Sequence, residues 1–223
     1  MKLSHEEARE YWFKKQESAM ALMEKRRKEG CGVLIEVAAQ HPLAPDGTPG
    51  VEFTARLDEG ARQYFLLKEK HGRDYPVNFY IPGNIHGNDK IALSDAGKSY
   101  LIGLGVAESD IFGSEMSDKY KGEDGVYNSA DECFVATSIF RDGNYADMYI
   151  VCSPNQTMRN MLFYIEFGVY PKLYSAPVDN MFHNFVGELL DLVPAVVYVD
   201  HSWQSPDSMF FIDARKERRI KNK

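Results

Sequence analysis

The sequence is poor in the features that announce a chemistry. Its 223 residues hold three cysteines, Cys31, Cys133 and Cys152, an odd and widely spaced set lying in or beside apolar segments. That pattern excludes a disulfide framework and predicts reduced, buried thiols in a cytoplasmic protein. No stretch of about 18 apolar residues occurs, and the opening MKLSHEEAREYWFKKQ lacks an apolar signal core, so neither secretion nor a membrane span is expected. Positive charge is in deficit: the formal net charge is −7 and the pI is near 5.4, which disfavours nonspecific binding to nucleic acid or an anionic membrane surface. The histidines are scattered, with no H-x-x-x-H pair and no flanking cysteine pair, so no zinc site is expected. The P-loop pattern, the dinucleotide fingerprint and G-x-S-x-G are all missing, since Gly103 and Gly105 end a helical segment and do not open one after a strand.

What is there is the balance of a globular domain, 44% hydrophobic and 26% charged. The chain is organised around YADMYIVCSPNQTMRNMLFYIEF, Tyr145 to Phe167. Met148 to Cys152 is a short apolar run, as in a parallel strand covered on both faces. Ser153 is placed as an N-cap, Pro154 suits the first helical position, and Gln156 completes a capping-box pattern. Met158, Met161, Leu162 and Ile165 continue at helical spacing. This predicts a helix amino terminus at the carboxyl end of a strand, where anions are favoured and where open α/β sheets bind ligands. Asn155, Gln156 and Arg159 share one helix face there.

Earlier in the chain, Ser4 and Glu7 form a second capping-box pattern, and nothing breaks a helix from His5 to about Lys28. Its stripe of Ala8, Tyr11, Trp12, Ala19, Leu22 and Met23 is suited to pack on the sheet or on a second subunit, and KRRK at its end complements the helix dipole. GVLIEVAA, Gly32 to Ala39, is the first strand, followed by the turn-rich HPLAPDGTPG and a helix from Phe53 through Lys70. PVNFYI, Pro76 to Ile81, is the second strand, broken by Pro82 and Gly83, whose turn can aim backbone N–H groups outward. A helix at Ser94 to Leu104, a third strand at Asp110 to Met116, an exposed loop at Ser117 to Gly125 and a helix at Tyr127 to Arg141 follow. A strand at Val169 to Tyr174, a helix at Asn180 to Val193, a strand or capping segment at Ala195 to Val199 and a basic tail complete the chain. The alternation predicts a Rossmann-like, doubly wound, mostly parallel sheet of about five strands in three layers, with an added N-terminal helix. The divisions are a helical extension at 1–30, the α/β domain at 31–200 and a tail at 201–223.

Cys152 and Arg159 flank the central turn as the nucleophile and arginine of cysteine phosphatases do, but six residues separate them where those enzymes have five, which turns the arginine by about 100° on a helix. The carboxylates at predicted strand exits and helix starts are Asp95, Glu115, Asp131 and Asp179, of which any two are candidates for acid and base or for holding a divalent cation.

Five motifs, in order, resemble the YdcF/SanA/ElyC family of Rossmann-like domains. DGTPGVEFTARL places Arg56 at the arginine of a family motif after the first strand; Pro82, Gly83 and Asn84 stand where that family has S-G-G. Ser94, Asp95 and Ala96 are similar to its s-E-A, and Ser129, Ala130, Asp131 and Glu132 to its T-x-E-N. Val151, Cys152, Ser153, Gln156, Arg159 and Asn160 follow V-T-s-x-x-H-x-x-R-A, with Gln156 in place of the usual histidine. Ala38 and Ala39 replace glycines usual after the first strand. The resemblance covers Gly32 to Val193 and implies a cytoplasmic-type member binding a small anionic or nucleotide-like molecule, S-adenosylmethionine being the ligand it suggests.

The expected ligand-binding residues are therefore Arg56, Gly83, Asn84, Ser129, Ser153, Asn155, Gln156 and Arg159. A second reading is an enzyme, hydrolase or transferase, on a phosphorylated or nucleotide-linked substrate with Asp95 and Asp131 as catalytic candidates. A third is a non-catalytic homo-oligomer assembled through the N-terminal helix.

Overall fold

The computed structural model describes residues 4–39, 43–85, 90–121 and 129–176, apart from the side chains of His5, Ala8, Trp12 and Asn155. Helix α1, His5–Lys28, opens with the capping box: the Glu7 amide donates to Ser4 Oγ and the Ser4 amide to the Glu7 carboxylate. Strand β1, Gly32–Val37, is buried throughout, and α2, Val51–His71, crosses back to β2, Val77–Tyr80. Then come α3, Leu93–Gly103, the two-residue β3, Ile111–Phe112, α4, Ser114–Lys121, and α5, Ser129–Asp142. Strand β4, Tyr145–Cys152, α6, Thr157–Glu166, and β5, Lys172–Ser175, close the described fold.

The five strands form one parallel sheet in the order β3-β2-β1-β4-β5. Chain direction across the sheet reverses between β1 and β4, which makes their carboxyl ends the topological switch point. Alternation along the strands divides the core in two. Val33, Ile35, Val37, Phe79 and Val151 face α2 and α3, while Leu34, Tyr80, Met148, Ile150 and Cys152 face α1, α5 and α6. Each fully buried aliphatic or aromatic side chain contributes about 1.5–3 kcal/mol, so two such layers account for the stability of the sheet. This is the three-layer, doubly wound architecture that the alternation predicts.

Helix α1 is seated on the sheet by its last turns. Ala19 and Met23 are buried, whereas Tyr11 and Leu22 of the expected stripe are exposed, along with Phe13 and Met20. The basic run is a fastener. Arg26 donates to the carbonyls of Phe140, Arg141 and Tyr145, and Arg27 forms a forked pair with Asp147, which Lys172 also approaches at 3.4 Å.

Two expectations are corrected. The third strand is only Ile111–Phe112: Gly113 ends it, with its amide donating to Glu115 Oε1 at 2.8 Å, and helix α4 starts at Ser114. Ser117 to Lys121 is accordingly helical, and Ser117 is buried against Tyr80, not part of an exposed loop. The expected elements at Asn180 to Val193 and Ala195 to Val199, the basic tail, and Asp179 lie outside the described residues.

Candidate functional site

At the carboxyl end of β1 the chain exits through Ala38 and Ala39, and at that of β4 through Ser153. Arg56, in the second turn of α2 and 1% exposed, spans the two: Nη1 donates to the Ala38 carbonyl at 2.9 Å and the Ala39 carbonyl at 3.3 Å, and Nη2 to Ser153 Oγ at 2.5 Å. A planar fork with several donors is suited to such a bridge, which a lysine cannot reproduce.

That bridge overturns the expected helix start. With Ser153 Oγ accepting from Arg56, it caps nothing, and Pro154–Gln156 is a 3-10 turn with the Gln156 amide donating to the Ser153 carbonyl at 3.0 Å. Helix α6 begins three residues later, at Thr157, without a side-chain cap. The anion-favouring helix terminus is thereby displaced from Ser153 to Thr157, although it stays at the same sheet edge.

Arg159, in the first turn of α6, is 8% exposed. Gln156 is half-buried, and its Oε1 has no hydrogen-bond partner among the described residues. The structure thus brings Arg56, Ser153, Gln156 and Arg159 to one end of β1 and β4; Asn155 lies in the same turn with its side chain outside the description. Ser129 is the half-buried first residue of α5.

Gly83 and Asn84 serve the β2 exit. Gly83 has φ +113°, and a Cβ there would meet Leu93 Cβ at 2.9 Å and Ala39 Cβ at 3.2 Å. Its carbonyl accepts from the Ser94 amide at 3.1 Å, and that of exposed Asn84 from the Leu93 amide at 3.3 Å. Both tie the strand exit to the start of α3.

The two candidate catalytic carboxylates are not brought together. Asp95 is exposed in the first turn of α3, against the α2 face of the sheet, while Asp131 is buried on α5, across the sheet, in an ion pair with Lys121 at 2.8 Å. Glu115 is occupied by the Gly113 amide. Cys152 does not fit a phosphatase nucleophile: burial pushes its thiol up, away from the thiolate, against hydrogen bonding to Thr157, whose Oγ1 lies at 3.8 Å, and to Asn160.

The residue that the sequence reading passed over is Glu36. It sits near the end of β1 on the α5 and α6 face, 2% exposed, and its Oε2 has no hydrogen-bond partner among the described residues. Loss of solvation, and then the charge of Glu132 on α5, push its carboxyl well above the usual range. The same two acids, after burial itself, raise the Cys133 thiol, which Arg159 draws the other way. The available signal was a lone acid inside GVLIEV, a run otherwise fit only for burial.

Among the described residues, no cluster of three or more His, Cys, Asp or Glu side chains is arranged to hold a metal ion, and no helix is long and apolar enough to cross a membrane. A groove of roughly 610 Å³ lies elsewhere, lined by Tyr64, Phe65, Lys68, Glu69, Arg73 and Gly105, at the far end of α2 from Arg56. No protein-family model matches the chain, and no curated protein is significantly similar to it.

Proposed function

We propose that the protein binds a small anionic or nucleotide-like molecule at the carboxyl ends of β1 and β4. The observation that carries this reading is the placement of two buried arginines, Arg56 on α2 and Arg159 in the first turn of α6, at the carboxyl edge of a doubly wound sheet beside its topological switch point. Open α/β sheets take their ligands in that crevice, and fixed positive charge beside a helix start favours phosphate or carboxylate. In this reading Arg56 shapes the floor by holding Ala38, Ala39 and Ser153 in place. Arg159, Gln156 and the first amides of α6 are the groups offered to the ligand. The resemblance to YdcF-like domains belongs to the same proposal, and S-adenosylmethionine is one ligand to be tried.

The test is thermal unfolding against nucleotides, phosphosugars and S-adenosylmethionine, in the wild type and in Arg159→Ala. A ligand at about 100 times its Kd adds roughly 2.7 kcal/mol of stability. The proposal expects a shift that is lost in Arg159→Ala; a folded wild type indifferent to every compound would overturn it.

A further inference from the structure

Glu36 is an expensive residue where it stands. It projects from β1 on the α5 and α6 face, where it interacts electrostatically with Tyr80 of β2, Glu132 and Cys133 of α5 and Cys152 of β4; the charges of Arg159 on α6 and Arg56 on α2 act on those two thiols. Tyr80 is already committed to Ser117 Oγ at 3.2 Å, and burial pushes both thiols up, away from the thiolate. Among the described residues no donor reaches Glu36 Oε2. A buried polar atom left without a partner is destabilising, and an apolar side chain at this strand position would avoid that cost. A second orphaned oxygen, Gln156 Oε1, lies at the same edge of the sheet. Gln156 Oε1 is an acceptor, and so is Glu36 once ionised; what the two then lack is a donor.

We infer that Glu36, with Glu132 beside it, receives a protonated amine of the bound molecule, so that the ligand carries a cationic group close to its anionic one. The inference rests on the anion-binding reading above and narrows its ligand class to zwitterions. In the free protein a proton occupies the place of that amine; when the ammonium enters, the proton leaves Glu36 for solvent and an ion pair takes its place. No covalent bond changes. Arg159 holds the anionic end, and the two carboxylates hold the cationic end.

The experiment is an amide chemical-shift titration with two probes of nearly equal size, phosphoethanolamine and ethyl phosphate, at pH 6 and pH 8. Wild type should bind phosphoethanolamine about tenfold more tightly than ethyl phosphate, as hydrogen bonds to charged groups allow. The advantage should be larger at pH 8, because the competing proton is scarcer. Glu36→Gln should bring the two affinities together without weakening ethyl phosphate, and Glu132→Gln should shrink the gap in the same way, which keeps the test alive if the first variant does not fold. Equal affinities in wild type, or an advantage that survives both substitutions, would overturn this inference while leaving the anion site standing. Failure of both probes to bind would overturn this inference too, while the anion site itself stands or falls with the unfolding panel.

Discussion

Arg56 on α2 donates through Nη2 to Ser153 Oγ at 2.5 Å, across the carboxyl edge of the sheet, while its Nη1 holds the exit of β1. One side chain therefore ties together the helix after the first strand and the two strand ends that flank the switch point. It also explains why the turn after β4 is a 3-10 turn and not a capped α-helix.

Removing that bridge should destabilise the fold. Arg56→Ala leaves the Ala38 carbonyl and Ser153 Oγ, both in buried surroundings, without their donor, for a loss of about 2–4 kcal/mol. Arg56→Lys should recover only a minor part, because an ammonium cannot reproduce the fork. Urea unfolding of both variants checks this. Full stability in Arg56→Lys would mean that charge, not geometry, is what the position supplies.

Glu36 should make the protein less stable as pH rises. Its folded-state carboxyl is raised by burial and by Glu132, so above the unfolded carboxyl range, near 4.3, the unfolded chain ionises first and gains ground. The stability present in acid is lost progressively until the folded group ionises too. Glu36→Gln removes the titration, and its melting temperature should exceed the wild type's at neutral pH and vary less between pH 5 and pH 8. Parallel pH profiles for the two proteins would show that the carboxyl is not held neutral.

Asp147 should act in the opposite sense. Burial alone would raise its carboxyl, but the Arg27 hydrogen bonds and the charge of Lys172 outweigh that and hold it below the usual range. Its contribution is complete above the unfolded value near 3.9 and is lost as pH falls through the lower folded value. Arg27 is 46% exposed, so solvent screening limits the pair to about 1 kcal/mol. Asp147→Asn should cost that amount at pH 7, with the difference from wild type shrinking toward pH 2; guanidinium unfolding at the two pH values decides it.

Gly83→Ala should cost about 1–3 kcal/mol, since φ +113° is foreign to an L side chain and the new methyl meets Leu93 Cβ at 2.9 Å. The same change at Gly103, where nothing lies within 4 Å and φ is not positive, should be neutral or stabilising. Comparing the two in one denaturant series separates backbone strain from a general penalty for losing glycine.

The layered fold was legible because its signals are local and repeated. The Ser4 and Glu7 box, the largely apolar and wholly buried β1 and β4, and the helical spacing of α2 and α5 each point one way. The failures lie where a distant residue decides. Ser153 has every local mark of an N-cap, and only the arrival of Arg56 from 97 positions away takes its hydroxyl. Asp95 and Asp131 sit in equivalent local contexts, yet α3 and α5 cover opposite faces of the sheet, and periodicity alone does not tell which face a crossover helix takes. Glu36 was visible as a charge in an apolar strand, but its chemistry depends on which acid of α5 faces it, and that is Glu132, one position from the candidate chosen.

The central claim is the location of the site, and amide chemical-shift mapping of the best compound from the unfolding panel tests it most directly. Saturable shifts concentrated at Ala38, Ser153, Thr157 and Arg159, and missing from Arg159→Ala, are the predicted result. Shifts confined to the groove of Tyr64, Lys68, Arg73 and Gly105 at the other end of α2 would contradict the account, because they would place the ligand away from the switch point.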